Sequence, residues 1–185
     1  MHPTALQGFK NQLLGAYGRL SRVLDVLDVG GADVNGTVHA ALRQRHGVEL
    51  LDVLDVAPGS GVTIVGDATV PEFWRGLLEE HGARYDLVIS TETLEHVGGW
   101  RAIVAGARGV LRPGGWIIGT CASIERRPHG ARGALDPAAG EWYENVWPTE
   151  LAQALLGRFD GEVVVEYNFR PEFPTTGDLY WRAQA

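Results

Sequence analysis

A chain of 185 residues with 45% hydrophobic and 21% charged residues has the composition of a globular protein, long enough to bury most of the surface its unfolded form exposes. The net charge of -7 argues against a protein that coats nucleic acid, because neutralising phosphates needs clustered Lys and Arg; it does not exclude a local basic patch, and Arg126, Arg127 and Arg132 sit close together. The single cysteine, Cys121, excludes an internal disulfide framework and a cysteine-built zinc site. No apolar run is long enough to span a bilayer, and MHPTALQGFK lacks a signal peptide's apolar block. A cytoplasmic location and no membrane partner are therefore expected.

In chain order, the first element is an amphipathic helix over Thr4–Leu20, with Phe9, Leu13, Leu14, Tyr17 and Leu20 at helical spacing. Arg22–Val29 follows as a β-branched-rich strand, then a glycine loop, a helix over Thr37–Arg45 and a second strand over Val48–Val56. Val62–Val65 is a short third strand, and Pro71 is suited to the first turn of a helix over Pro71–His81. Tyr85–Ser90 is a fourth strand, Trp100–Leu111 a helix stopped by Arg112-Pro113-Gly114-Gly115, and Trp116–Cys121 a fifth strand. The segment Ser123–Tyr143, rich in glycine and interrupted by Pro128 and Pro137, reads as a long loop of the kind that carries function. A helix over Pro148–Leu156 and two strands, Gly161–Asn168 and Asp178–Ala183, complete the chain; with no helix between them, the two strands can pair antiparallel. Strands alternating with helices imply parallel βαβ units and a sheet covered on both faces.

The hexapeptide LDVLDV occurs twice, as Leu24–Val29 and Leu51–Val56. Its two acids are three residues apart, so they face opposite sides of a strand and lie ~10 Å apart along it. Asp28 and Asp55 fall at the carboxyl ends, where doubly wound sheets bind ligands. Asp25 and Asp52 lie further back and are expected to mark solvated strand starts, since an unpaired buried carboxylate costs several kcal/mol. Asp67, in VGDAT, ends the third strand on the same rim. Three successive strand ends carrying Asp suit a ligand with an amine and a ribose diol, whose donors a carboxylate accepts. The loop from Gly30 reads GGADVNG, not the G-x-G-x-x-G that cradles a pyrophosphate, so a ligand without phosphates fits better.

The runs VLDVGGADVNGTV, LDVAPGSGV, VGDAT, YDLVISTETLEHV and VLRPGGWIIGTCAS, in that order, resemble the class I S-adenosylmethionine-dependent methyltransferases. The resemblance covers roughly residues 22–123. It implies a Rossmann-like α/β fold: a doubly wound, seven-stranded, mostly parallel sheet with an antiparallel C-terminal strand, in a three-layer sandwich. It also implies that Asp28, Gly30 and Gly31 contact the methionine part of the cofactor and that Asp55, with Val56, holds the ribose. Asp67 and Ala68 would meet the adenine, and Ser90, Thr91 and Glu92 would line the sulfonium side. One domain over 1–185 is expected: an N-terminal helix (1–20), a cofactor-binding core (21–121), a substrate-side loop (122–147), and a C-terminal helix and hairpin (148–185).

Beyond the cofactor, His129 in RRPHGARG is the candidate general base, because a neutral imidazole can take a proton from a hydroxyl or amine. His96, Trp142 and Tyr143 are candidates for an acceptor pocket. Trp147 precedes a helix start and is read as a possible hydrophobic staple. No metal is expected: Glu92, Glu95 and His96 cluster in TETLEHV, but HExxH or related spacing is absent and a further ligand would be needed. Cys121 lacks the surroundings of a reactive thiol, and the fourth strand lacks the D/N-P-P-Y/F run of exocyclic-amino DNA methylases, so duplex DNA is an unexpected acceptor. The function expected is direct methyl transfer to a small molecule. The alternatives are a methyltransferase-like binding module without catalysis and a nicotinamide-dependent oxidoreductase.

Overall fold

The computed structural model describes residues 3–18, 21–34, 36–169 and 177–185. Leu20, placed in the first helix by its spacing, lies outside them. Seven strands form one sheet: β1 (Val23–Val29), β2 (Gly47–Asp55), β3 (Ile64–Val65), β4 (Tyr85–Thr91), β5 (Leu111–Ala122), β6 (Val163–Phe169) and β7 (Gly177–Gln184). The helices are α1 (Pro3–Tyr17), α2 (His39–Arg43), α3 (Pro71–His81), α4 (Trp100–Val110) and α5 (Pro148–Leu156). Strand order is β3-β2-β1-β4-β5-β7-β6. The strands β1 to β5 pair parallel, and β7 runs antiparallel to both β5 and β6. The last two strands pair antiparallel as expected, but it is the later one that joins β5, leaving β6 at the edge.

Alternation along β1 sorts its side chains between two cores. Leu24 and Val26 pack with Phe9 and Leu13 of α1 and with Leu42 of α2. Leu27 and Val29 pack on the opposite face with Trp74 of α3, Ile103 and Val104 of α4, and Leu151 of α5. Helices therefore cover both faces, the arrangement a mainly parallel sheet requires. On α4 the buried positions are Trp100, Ile103, Val104, Ala107 and Val110, the stripe of an amphipathic helix. On α1 the stripe is narrower than its spacing suggests: Leu14 is exposed, while Gln12 is buried and donates to Glu166 on β6. Proline occupies the first turn of both α3 and α5, where its missing N–H costs nothing.

Asp25 and Asp52 do not mark solvated strand starts. Asp25 is the third residue of β1 and Asp52 the sixth of β2, and each has a partner. The Arg112 guanidinium donates to Asp25 and to Asp86, at 2.8 Å in both cases. The Tyr85 hydroxyl donates to Asp52 at 2.8 Å. A carboxylate can sit within an apolar strand once a donor from another strand meets it, and those donors lie far away in sequence.

Candidate functional site

In the strand order, the chain reverses direction across the sheet between β1 and β4, and open α/β sheets bind ligands at such a point, outside the strands' carboxyl ends. A cavity of about 1010 Å³ opens there, at the upper end of the range for small-molecule sites. Its lining comes from the loops after β1, β2, β3 and β4 and from residues 126–135 of the long loop after β5. That loop has no helix or strand between residues 123 and 147, as its composition predicts.

Asp28, Asp55 and Asp67 all line this cavity. Asp28 is buried, and its Oδ2 lies 2.7 Å from Nε2 of His39, the first residue of α2. Its Oδ1 is buried without a hydrogen-bond partner among the described residues. Burial pushes the Asp28 carboxyl above its usual range, and the His39 contact opposes that rise. An orphaned carboxylate oxygen at the cavity is what an ammonium donor would satisfy. Gly30 has φ +73° and donates its N–H to the Leu54 carbonyl at 2.8 Å. A Cβ on Gly31 would lie 2.6 Å from the Asp28 carboxylate. The backbone thus turns directly over the acid, which only glycine permits.

Asp55 accepts two long backbone bonds, from Ala32 N–H at 3.4 Å and Ala57 N–H at 3.3 Å, so its oxygens retain capacity for a strong donor. Val56, 69% exposed, lines the cavity and offers an apolar surface that a flat aromatic ring would cover. Asp67 is fixed by its own turn: one oxygen accepts from the Thr69 N–H at 2.8 Å and from the Thr69 hydroxyl at 2.6 Å. Ala68 lies beside it, and its carbonyl accepts from the Trp74 indole at 2.8 Å.

The other wall comes from the end of β4. Thr91 and Glu92 line the cavity, whereas Ser90 is fully buried in the strand and does not reach it. Glu92 has φ +54°, a strained conformation for a residue with a side chain and one that concentrates at functional sites. Its backbone N–H donates to the Thr120 carbonyl at 2.8 Å, and its carboxylate accepts from the Thr120 hydroxyl at 2.9 Å. Burial pushes the Glu92 carboxyl up to about 7, with the Asp178 carboxylate adding to the rise.

A 3₁₀ turn, Leu94–His96, then brings Glu95 and His96 together. The Glu95 side chain is fully buried; Oε1 accepts from the Ala122 N–H at 3.0 Å, and Oε2 has no partner among the described residues. His96 and His129 both line the cavity and meet edge to face, ring centroids 5.0 Å apart. Tyr143 packs its edge against both, at 5.4 and 5.1 Å. Burial lowers His96 to about 4, and it lowers His129 as well, so both imidazoles are neutral near pH 7.

Of the acceptor-pocket candidates, His96 reaches the cavity, Tyr143 backs it, and Trp142 lies outside it, half exposed and close to Gly98. Trp147, the N-cap residue of α5, is also half exposed. Sequence reasoning missed His39, whose only local signal is its place at the start of the helix after the glycine loop. It also passed over Thr120, and it found no further ligand to join Glu92, Glu95 and His96 of TETLEHV. The Arg126 guanidinium is tied to Asp178 and Arg127 to Asp136, so two members of the basic group are already engaged with carboxylates.

Fold and cavity together define a doubly wound α/β protein whose cavity lies across the carboxyl ends of β1, β2 and β3 and is lined by carboxylates. A family model described as "Methyltransferase domain" matches residues 15–119, more than half of the chain. The chain belongs to this family, the class I S-adenosylmethionine-dependent methyltransferases, whose cofactor is S-adenosylmethionine. Similar solved structures include the 1,6-didemethyltoxoflavin-N1-methyltransferase of Burkholderia thailandensis, bound to 1,6-didemethyltoxoflavin and S-adenosylhomocysteine. It is 18% identical, with a TM-score of 0.61, over 97% of this chain and 77% of that one. A SAM-dependent methyltransferase from Archaeoglobus fulgidus is 13% identical, with a TM-score of 0.61, over 98% and 95% of the two chains. Phosphoethanolamine N-methyltransferase 2 of Haemonchus contortus, in complex with S-adenosyl-L-methionine, is 12% identical, with a TM-score of 0.57, over 95% of this chain and 51% of that one. No curated protein matches the chain.

Proposed function

We propose that the chain, acting as one domain over 1–185 in the cytoplasm, transfers the methyl group of S-adenosylmethionine directly to a small-molecule acceptor. The observation that carries this reading is the trio of strand-end carboxylates on one cavity, with the Asp28 oxygen left unpartnered beside the Gly30–Gly31 turn. When bound, the cofactor supplies a methyl group on a positively charged sulfur, open to displacement by an acceptor lone pair.

Asp28 would hold the ammonium through Oδ1, with His39 fixing Oδ2. The Gly30–Gly31 backbone would lie against the methionine part. Asp55 would accept from the ribose hydroxyls, and Val56, Asp67 and Ala68 would flank the adenine. Thr91 and Glu92 would border the sulfonium side, where a bound positive charge would favour the ionised form of Glu92. Ser90 would act only as packing beneath them.

The acceptor would enter at the His96–His129 end. There His129 offers a neutral imidazole, a lone pair able to take an acceptor proton. Alignment of acceptor and methyl can by itself supply up to about 7–11 kcal/mol of the barrier. Two of the three arginines in the loop after β5, Arg126 and Arg127, are paired with acids, which favours a small molecule over duplex DNA. No described helix is long and apolar enough to cross a membrane.

Calorimetric titration with S-adenosylmethionine, S-adenosylhomocysteine and NAD tests the reading. The first two are expected to bind below about millimolar and NAD is not. Absence of binding by both sulfur ligands refutes the proposal. Binding without methyl incorporation into any component of a metabolite extract would instead favour a non-catalytic binding module.

A further inference from the structure

The expectation of no metal rested on the lack of a further ligand near TETLEHV. The fold supplies one. One ligating atom from each of Glu95, His96 and His129 can be chosen so that all lie within 4.8 Å of one another. We propose that this trio is a binding site for a divalent cation of the zinc class, set in the wall of the cavity between the end of β4 and the loop after β5.

Two observations support it independently. Glu95 is fully buried, and one of its carboxylate oxygens has no hydrogen-bond partner among the described residues; Nδ1 of His96 is buried and equally unpartnered. Two adjacent side chains with orphaned lone pairs at one spot are a cost to folding that a cation would remove.

The outer contacts also suit a metal site. Nδ1 of His129 lies 3.3 Å from the Arg127 carbonyl, so the proton belongs on Nδ1 and the lone pair on Nε2. The Ala122 N–H holds the other oxygen of Glu95 at 3.0 Å. Backbone groups that fix the tautomer and the carboxylate in this way are the usual support of metal ligands. Tyr143 adds a rigid edge behind both imidazoles.

Two imidazole nitrogens and one carboxylate select zinc, cobalt, nickel, iron or manganese over magnesium and calcium, which prefer all-oxygen shells. Tetrahedral zinc at about 2.1 Å from each ligand holds them about 3.4 Å apart, so the trio must close on the ion. His129, half-buried on a loop without regular structure, is the member whose displacement the site requires. Three protein ligands leave a fourth position open, and two of the three, His96 and His129, line the cavity. Ligation uses the lone pair that would otherwise take a proton, so a cation and a proton compete for His129.

The test uses the full chain, stripped with a chelator and measured without cofactor, so that its failure is distinct from a failure to bind S-adenosylmethionine. Cobalt(II) is added while visible absorption is recorded, and zinc is then used to displace it. One equivalent is expected to bind, with the ligand-field bands of a nitrogen-and-oxygen site, and zinc is expected to displace it fully. His129→Ala and Glu95→Gln should each weaken binding at least about 10-fold. Circular dichroism identifies any variant that has unfolded, and His129→Ala, on the loop, is the variant least exposed to that outcome. Wild-type binding no tighter than that of a folded His96→Ala/His129→Ala variant overturns the site, since the ion would then sit on other histidines. Magnesium displacing cobalt as readily as zinc does would overturn the assignment of cation class.

Discussion

Two aspartates three residues apart in one hexapeptide, Leu51–Val56, should respond in opposite ways to truncation. Asp55 ends β2 at the cavity, and its bonds to Ala32 and Ala57 N–H, at 3.4 and 3.3 Å, are long and contribute little to folding. Asp52 lies three residues earlier, inside the strand, and accepts from the Tyr85 hydroxyl at 2.8 Å. Tyr85 is fully buried. Asp55→Ala removes a charged acceptor from the ligand, a loss of about 1–3 kcal/mol, which corresponds to binding of S-adenosylmethionine about 5- to 150-fold weaker. Its unfolding midpoint should barely change. Asp52→Ala leaves a buried phenol hydroxyl without an acceptor, costing about 1–3 kcal/mol of stability, with cofactor affinity unchanged within about twofold. Titration calorimetry with S-adenosylmethionine reads the first effect and urea unfolding the second. Equal affinity losses in the two variants, or an Asp52→Ala protein as stable as wild type, would refute the division of these acids between ligand and scaffold.

His39→Ala strands the Asp28 carboxylate, already lacking a partner on Oδ1. Urea unfolding should show a loss of about 1–3 kcal/mol, and Asp28→Asn in the same background should restore part of it. Gly31→Ala places a Cβ 2.6 Å from the Asp28 carboxylate, so S-adenosylhomocysteine should bind at least about 10-fold more weakly by calorimetry; unchanged affinity would remove the turn from the site. His46 supplies a pH test. Burial lowers its pKa, with Arg45 and Arg22 adding to the effect, and its Nδ1 accepts from the Arg22 N–H at 3.3 Å. A depressed folded-state pKa means the contribution is complete above the unfolded value near 6.5 and is lost as pH falls below it. Stability measured at pH 7.5 and 5.5 should therefore fall less steeply in His46→Phe than in wild type, and an equal fall would contradict the assignment.

Much of the fold is legible because its signals are local. The alternation of VLDV, LVIS and WIIG with helical stretches requires neighbouring parallel strands, and Pro71 and Pro148 start helices where their missing N–H is harmless. The edge pairing was less legible: that β7, not β6, joins β5 depends on a sheet-wide choice which no single strand encodes. Helix α2 is shorter than its pattern, His39–Arg43, because periodicity does not show where a glycine loop ends.

At the site, the sequence by itself determined that acids stand at three successive strand ends, because strand direction and chain order place them on one rim. Only the tertiary structure decided which acids are free to bind. Arg112 and Tyr85 reach Asp25 and Asp52 from other strands and turn them into scaffold, while Asp28 keeps one oxygen unpartnered among the described residues, its other oxygen being held by His39. The same holds for Glu95 and His96: their spacing is visible in TETLEHV, but His129 joins them only when the loop after β5 folds back over the cavity. Side-chain partnership is a property of distance in space, and the sequence fixes that distance only through the packing of the whole sheet.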